Sequence, residues 1–189
     1  MSLWQGNRLT VVVLLVAALG RGVPAARAGT VDDVPREYQV KAAFIDRFLN
    51  FVEWNGAKAG GDTLVIGIVG DAPMAEAIRT AEAGSGSRHL AVRTSGAPQD
   101  LAAACHVIFV SATIDGAPRS AHPQWGDTAW TATHQVLTVG EDDAFTASGG
   151  VIGFYTEDDR LRFAVSEGAM AQAGLVIGSK LLRLAKIVP

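Results

Sequence analysis

Apolar and polar positions along Tyr38–Trp54 (YQVKAAFIDRFLNFVEW) repeat with a helical period. At 100° per residue, Gln39, Asp46, Asn50 and Glu53 fall on one narrow polar arc, with Arg47 at its edge. Phe44, Ile45, Phe48, Leu49, Phe51 and Val52 fill most of the remaining circumference, which is wider than one core contact requires. Such a helix either lies between two layers or offers part of itself to a partner. Tyr38 and Leu49 stand near one margin of the apolar arc and Trp54 near the other. Asp32, Asp33 and Pro35 mark its start, and Asn55-Gly56 its end.

Thr63–Val69 (TLVIGIV) is apolar on both alternating sets, as expected of a strand covered on both faces. Ala75–Ala83 reads as a short helix, His89–Val92 as a strand, Pro98–Ala104 as a helix and Cys105–Val110 as a second doubly buried strand. Residues 112–133 read as a loop-rich connection with one helical turn. Gln135–Val139 is a further strand. Val151–Tyr155 and Leu161–Val165 flank a polar turn at Thr156–Arg160, a hairpin pattern whose Asp158-Asp159 lacks the usual glycine. Strands alternating with helices at this spacing predict a single α/β domain, with a mainly parallel sheet, a C-terminal hairpin and flanking helices.

Ser166 is placed to cap a closing helical region that Gly174 divides in two. In the second piece Ile177, Leu181, Leu184, Ala185 and Val188 share one helical face, while Leu182 falls off it. Lys180, Arg183 and Lys186 line the other face, which reads as solvated, with membrane contact as the alternative. The surface expected to meet a partner therefore comprises Tyr38, Leu49, Trp54 and Leu182. The competing reading is that all four belong to the core.

The first 28 residues have a different character. Arg8 precedes the apolar run Leu9–Leu19, and Ala26-Arg27-Ala28 supplies small residues two apart, the three-part form of a secretory signal. The run is shorter than the ~20 residues that a membrane helix needs. Cleavage after Ala28 leaves residues 29–189 with 13 basic against 19 acidic side chains, a net charge of −6. That balance disfavours nucleic-acid binding. The leader indicates an exported protein with no direct membrane insertion after cleavage.

Catalytic chemistry is hard to assemble from what remains. His89, His106, His122 and His134 lack ligand spacing, and the single Cys105 completes no zinc pattern, so no metal site is assigned. Gly67-Ile68-Val69-Gly70-Asp71 lacks the third glycine of a dinucleotide fingerprint and the Lys-Ser/Thr of a phosphate loop. The sheet edge near Gly70 stays open as a small-ligand site on topology alone. Ser85, Ser87, Ser111 and Ser148 lack a nucleophile-elbow context. Neither catalytic residues nor cofactor are assigned, and a binding protein is expected rather than an enzyme.

Four blocks carry a family resemblance: Tyr38–Trp54, Leu64–Asp71 (LVIGIVGD), Cys105–Ser111 (CHVIFVS) and Gly149–Ala185. Y-Q-V-K-A-A-F with F-V-E-W, and A-G-L-x-I-x-S-K-L-L-R-L-A near the end, are the most specific. In order and spacing the chain resembles the YfiR/HmsC-like family of periplasmic proteins. The resemblance implies an α/β domain over residues 29–189, a homodimer, and a non-enzymatic regulator. Its implied partner is an inner-membrane diguanylate cyclase, held inactive so that cyclic di-GMP and biofilm formation stay limited. The alternative is a small-ligand sensor module that serves another membrane receptor or kinase. Some members of the family carry paired cysteines tied to redox control. With Cys105 alone no internal bridge forms here, so reducing agent should leave the melting temperature of the monomer unchanged; a large drop would reveal a bridge between two chains.

Overall fold

The computed structural model describes residues 34–54, 58, 63–70, 73–85, 89–95, 98–121 and 129–189. The proposed leader, Asp32-Asp33, Asn55-Gly56, Asp71, Ser87 and His122 lie outside these residues.

The opening helix α1 spans Arg36–Leu49 and is followed by the short strand β1, Val52–Glu53. Strand β2 (Thr63–Val69), helix α2 (Met74–Ser85), strand β3 (His89–Thr94), helix α3 (Pro98–Ala102) and strand β4 (Val107–Val110) form the first wound half. A small ladder of β5 (Thr113–Ile114) and β6 (Ala117–Pro118) comes next, then a single 3-10 turn at Arg119–Ala121. Helix α4 (Ala129–His134), strand β7 (Leu137–Gly140) and helix α5 (Ala144–Ala147) lead to the hairpin strands β8 (Ile152–Glu157) and β9 (Arg160–Ser166). The chain closes with α6 (Glu167–Gln172), β10 (Val176–Ile177), α7 (Ser179–Leu182) and β11 (Lys186–Val188).

Seven strands form one sheet in the order β11-β9-β8-β7-β4-β2-β3. From β3 to β8 all neighbours are parallel; β9 runs antiparallel to β8, and β11 parallel to β9. Single-domain α/β architecture with a mainly parallel sheet, as read from the alternation of elements, is what forms. Side chains alternate between the faces of a strand, so β2 and β4, apolar throughout, feed two cores. On one face α1 sets Phe44 and Phe48 against Phe154 and Phe163 of the hairpin, with ring centroids 4.9–6.0 Å apart. On the other, Leu101, Ala102, Cys105, Ile108, Val110, Val136 and Phe145 pack together. Cys105 is buried there as a small hydrophobe.

Several boundaries differ from expectation. Helix α1 stops at Leu49, where Phe51 N–H bonds Phe48 O and β1 pairs antiparallel with β10, Val52 against Ile177. The closing helix is also shorter than its periodicity predicts. Only Ser179–Leu182 is helical, and Lys186–Val188 leave the helix to hydrogen-bond the outer side of β9. A bare strand offers unpaired backbone groups, and β-branched Ile187 and Val188 suit that pairing. The two pivots of this end follow the sequence: Ser166 Oγ accepts from Ala169 N–H, and Gly174 adopts φ +63°. At the hairpin tip Asp158 and Asp159 both take positive φ, 50° and 57°, as the two-residue turn that matches strand twist requires, even without glycine.

Phe145 occupies a notch made by two glycines. A Cβ at Gly140 would stand 2.0 Å from its ring, and one at Gly150 2.1 Å. Gly140→Ala or Gly150→Ala should therefore lower stability by at least ~1–3 kcal/mol through overpacking. Phe145→Leu in the same chain should recover part of that loss, as read by denaturant unfolding.

Candidate functional site

The strand order turns back at β2. Strand β3 lies on one side of it and β4 on the other, so the carboxyl ends of β2 and β4 form the switch point where open α/β sheets place ligands. Among the described residues, the segments that follow β2 and β4 pack closely against each other at this edge. Ser111 N–H bonds Val69 O, and Gly70, at φ +101°, packs so closely that a Cβ would lie 2.4 Å from Thr113 O.

Glu141 follows β7 at the same edge and collects four donors. Ser111 Oγ and Ala112 N–H each reach Oε2 at 2.8 Å, Lys41 Nζ reaches Oε1 at 3.0 Å, and the Tyr38 hydroxyl completes the set. Burial would raise the Glu141 carboxyl, but these hydrogen bonds outweigh it and hold it below the ordinary carboxylate range. Burial and the same carboxylate push the Tyr38 hydroxyl upward. Lys41 is only 2% exposed; it also pairs with Glu37 one turn back and stands 4.9 Å from the centre of the Tyr38 ring. Beside this network Arg119 bonds both carboxylate oxygens of Asp142, at 2.7 and 3.0 Å, and lies over Phe145.

A carboxylate satisfied by four donors is a weak base, and Ser111 is fully enclosed, so the cluster resembles nucleophilic machinery only in composition. Its effect is to fasten α1 across the sheet. The sequence carried a signal for it that periodicity alone passes over: on the helical wheel Lys41 falls between Phe48 and Ile45, at the centre of the apolar arc.

The opposite end of the sheet holds a second cluster. Trp54 Nε1–H donates to His106 O at 3.3 Å, and the two rings meet edge to face at 5.8 Å. His106 Nδ1 accepts from Val65 N–H, which requires the neutral ring; burial and nearby Lys58 depress its pKa. Lys58 Nζ donates to Ala102 O and Cys105 O, and burial lowers it to about 8.

The four residues expected at a partner surface are thus not gathered into one patch. Tyr38 and Trp54 are half-buried at opposite ends of the sheet, and Leu182 is half-buried against the first core. Leu49 is 2% exposed and belongs to that core, because α1 packs on both the sheet and α2 and so uses more of its apolar arc than one layer would. Large apolar side chains exposed among the described residues are instead Val40, Val176, Leu184 and Ile187. Val176 and Ile187 lie on the short strands β10 and β11, and Leu184 on the turn between α7 and β11. No helix among the described residues is long and apolar enough to cross a membrane.

With this geometry in hand, comparison with known proteins settles the family. The YfiR/HmsC-like family model matches residues 38–186. The chain belongs to the YfiR/HmsC-like family. Members are periplasmic regulators of cyclic di-GMP signalling rather than enzymes. The chain is also similar to the crystal structure of a conserved domain protein from Vibrio cholerae, with a TM-score of 0.56 and 12% identity over 80% of this chain and 60% of that one. At that identity the likeness concerns the fold alone, and this chain spans less than two thirds of that protein. No curated protein matches the chain.

Removing Lys41 would leave the Glu141 carboxylate enclosed without its cation. Lys41→Ala should cost ~3–5 kcal/mol, and Lys41→Met with Glu141→Gln considerably less than the sum of the single changes. Because the Glu141 pKa is depressed in the folded state, its contribution is present above the unfolded value of about 4.3 and is lost as pH falls through the folded one. Glu141→Gln should therefore flatten the acid limb of a stability–pH curve below about pH 4, measured by chemical denaturation.

Proposed function

We propose that this chain is a periplasmic repressor of an inner-membrane diguanylate cyclase. It would act by binding rather than by catalysis, so that cyclic di-GMP and biofilm formation stay limited. The observation that carries the reading is the family match across nearly the whole domain, at residues 38–186. The packing at the switch point supports it, since among the described residues the place where this architecture usually handles ligands carries the mutually bonded Ser111, Glu141 and Lys41. In this reading residues 1–28 are a removable leader and residues 29–189 the working domain, which functions as a homodimer.

The docking surface would include the half-buried faces of Tyr38, Trp54 and Leu182, with Leu49 supporting them from inside. Helix α1 has 14 residues and is about 21 Å long, so an interface of standard size, ~800 Å² per partner, can cover both of its ends. A sensor module for a small ligand is the second reading. It is favoured by a groove of about 390 Å³ lined by Asp143, Thr146, Tyr155 and Lys186, beside β8, β9 and β11. Thermal-shift responses to a metabolite panel separate the two.

Deleting the gene should raise cellular cyclic di-GMP and biofilm, and the membrane cyclase should co-purify with the tagged protein. Unchanged cyclic di-GMP would sink the proposal. Trp54→Ala should weaken that association by about tenfold or more, as hot-spot aromatics do. It should also lower the melting temperature by several degrees, because the indole hydrogen-bonds His106 O.

A further inference from the structure

The last stretch of the chain differs in charge from everything before it. After Glu167 there is no acidic residue, and Lys180, Arg183 and Lys186 give residues 168–189 a charge of +3. Residues 29–167 hold 10 basic against 19 acidic side chains, a charge of −9. Within the basic stretch three large apolar side chains face solvent, Val176, Leu184 and Ile187, and the last two, 67% and 42% exposed, follow the two cations Lys180 and Arg183 in the chain.

Local structure explains how these groups come to the surface together. Leu181, 2% exposed, anchors the single turn of α7 to the core. Lys180 and Arg183, three residues apart, lie side by side on the outward side of that turn, and both are exposed. Arg183 N–H bonds Ser179 O and Leu184 N–H bonds Leu181 O, which ends the turn with Leu184 outward. Strand β11 then carries Ile187 along the outermost edge of the sheet. Lys186 alternates to the face opposite Ile187, where its ammonium stands 5.6 Å from the Tyr155 ring centre, so Lys180 on α7 and Arg183 at its C-cap are the cations taken with Leu184 and Ile187.

We propose that this α7–β11 corner is a contact site for an anionic lipid bilayer surface. Phosphate headgroups suit Lys180 and Arg183, while Leu184 and Ile187 reach the acyl boundary, the combination that holds amphipathic segments at a membrane interface. The acidic remainder of the domain is repelled by the same surface, so contact is confined to this corner and the domain is held in one orientation. Screening acts over about 8 Å at physiological salt, short enough for a local patch to bind while the body of the domain stays away. This assignment is independent of which membrane protein the domain regulates.

The test uses protein exported and processed from the full-length chain, with its new N-terminus verified. It should co-sediment with vesicles of phosphatidylcholine plus phosphatidylglycerol, not with phosphatidylcholine alone, and high salt should release it. At ~1 kcal/mol for each cation near the membrane, Lys180→Gln with Arg183→Gln should reduce partitioning by roughly thirtyfold. Leu184→Asp should also reduce it, and the melting temperature should hardly move in either variant because these side chains are exposed. The salt arm uses unsubstituted protein and so does not depend on how a variant folds. Failure to bind the anionic vesicles, equal binding to neutral ones, or variants that bind undiminished would overturn the proposal. Binding through the same residues to an acidic periplasmic portion of a membrane protein, but not to these vesicles, would overturn it as well.

Discussion

A lysine set in the middle of an apolar helix face must find an anion or unfold the contact. Lys41 finds Glu141 across 100 residues of chain, and that pair fixes how α1 crosses the sheet. From it follow the seating of Phe44 and Phe48 on the hairpin phenylalanines, the enclosure of Ser111 and the orientation of Tyr38. The same carboxylate accepts the Ala112 amide, so it also holds the segment that caps β2 and β4. One charge pair thus joins the N-terminal helix, the centre of the sheet and the β5–β6 ladder.

The consequence for function is a displacement. In open α/β sheets the edge at the switch point usually receives the ligand. Here, among the described residues, it carries side chains of the protein satisfied among themselves, with Gly70 packed on Thr113. The described residues offer surfaces for recognition on the outside of the domain: the flank of α1, the Trp54–His106 corner and the basic, apolar α7–β11 corner. Surfaces of this kind suit a regulator that works by contact.

Two-sided packing also explains why the apolar residues of this chain were hard to divide into core and interface. Helix α1 lies on the sheet and against α2, so Leu49 is needed inside. On the second face Phe145 is seated in a gap that only glycine at 140 and 150 leaves open, with Arg119, paired to Asp142, lying over its ring.

Much of the fold was legible in the sequence, because continuous apolar runs such as Thr63–Val69 and the alternation around Asp158-Asp159 are local consequences of burial on two faces or one. The Ser166 cap and the Gly174 break were legible for the same reason: each depends on the residue's own stereochemistry. Ends of elements were not. The sequence Val52–Trp54 continues a helical pattern, and so does Leu184–Val188, yet each segment is drawn into pairing by a strand far away in the chain. The site divides in the same way. Lys41 is conspicuous on a helical wheel and announces a buried partner, but nothing local names Glu141, since the pairing is set by where β7 ends in the sheet. Exposure of Leu184 and Ile187 was equally a tertiary decision, for a helical Leu184 would have turned toward the core, whereas the turn that ends α7 sends it outward and the edge strand β11 carries Ile187 into solvent.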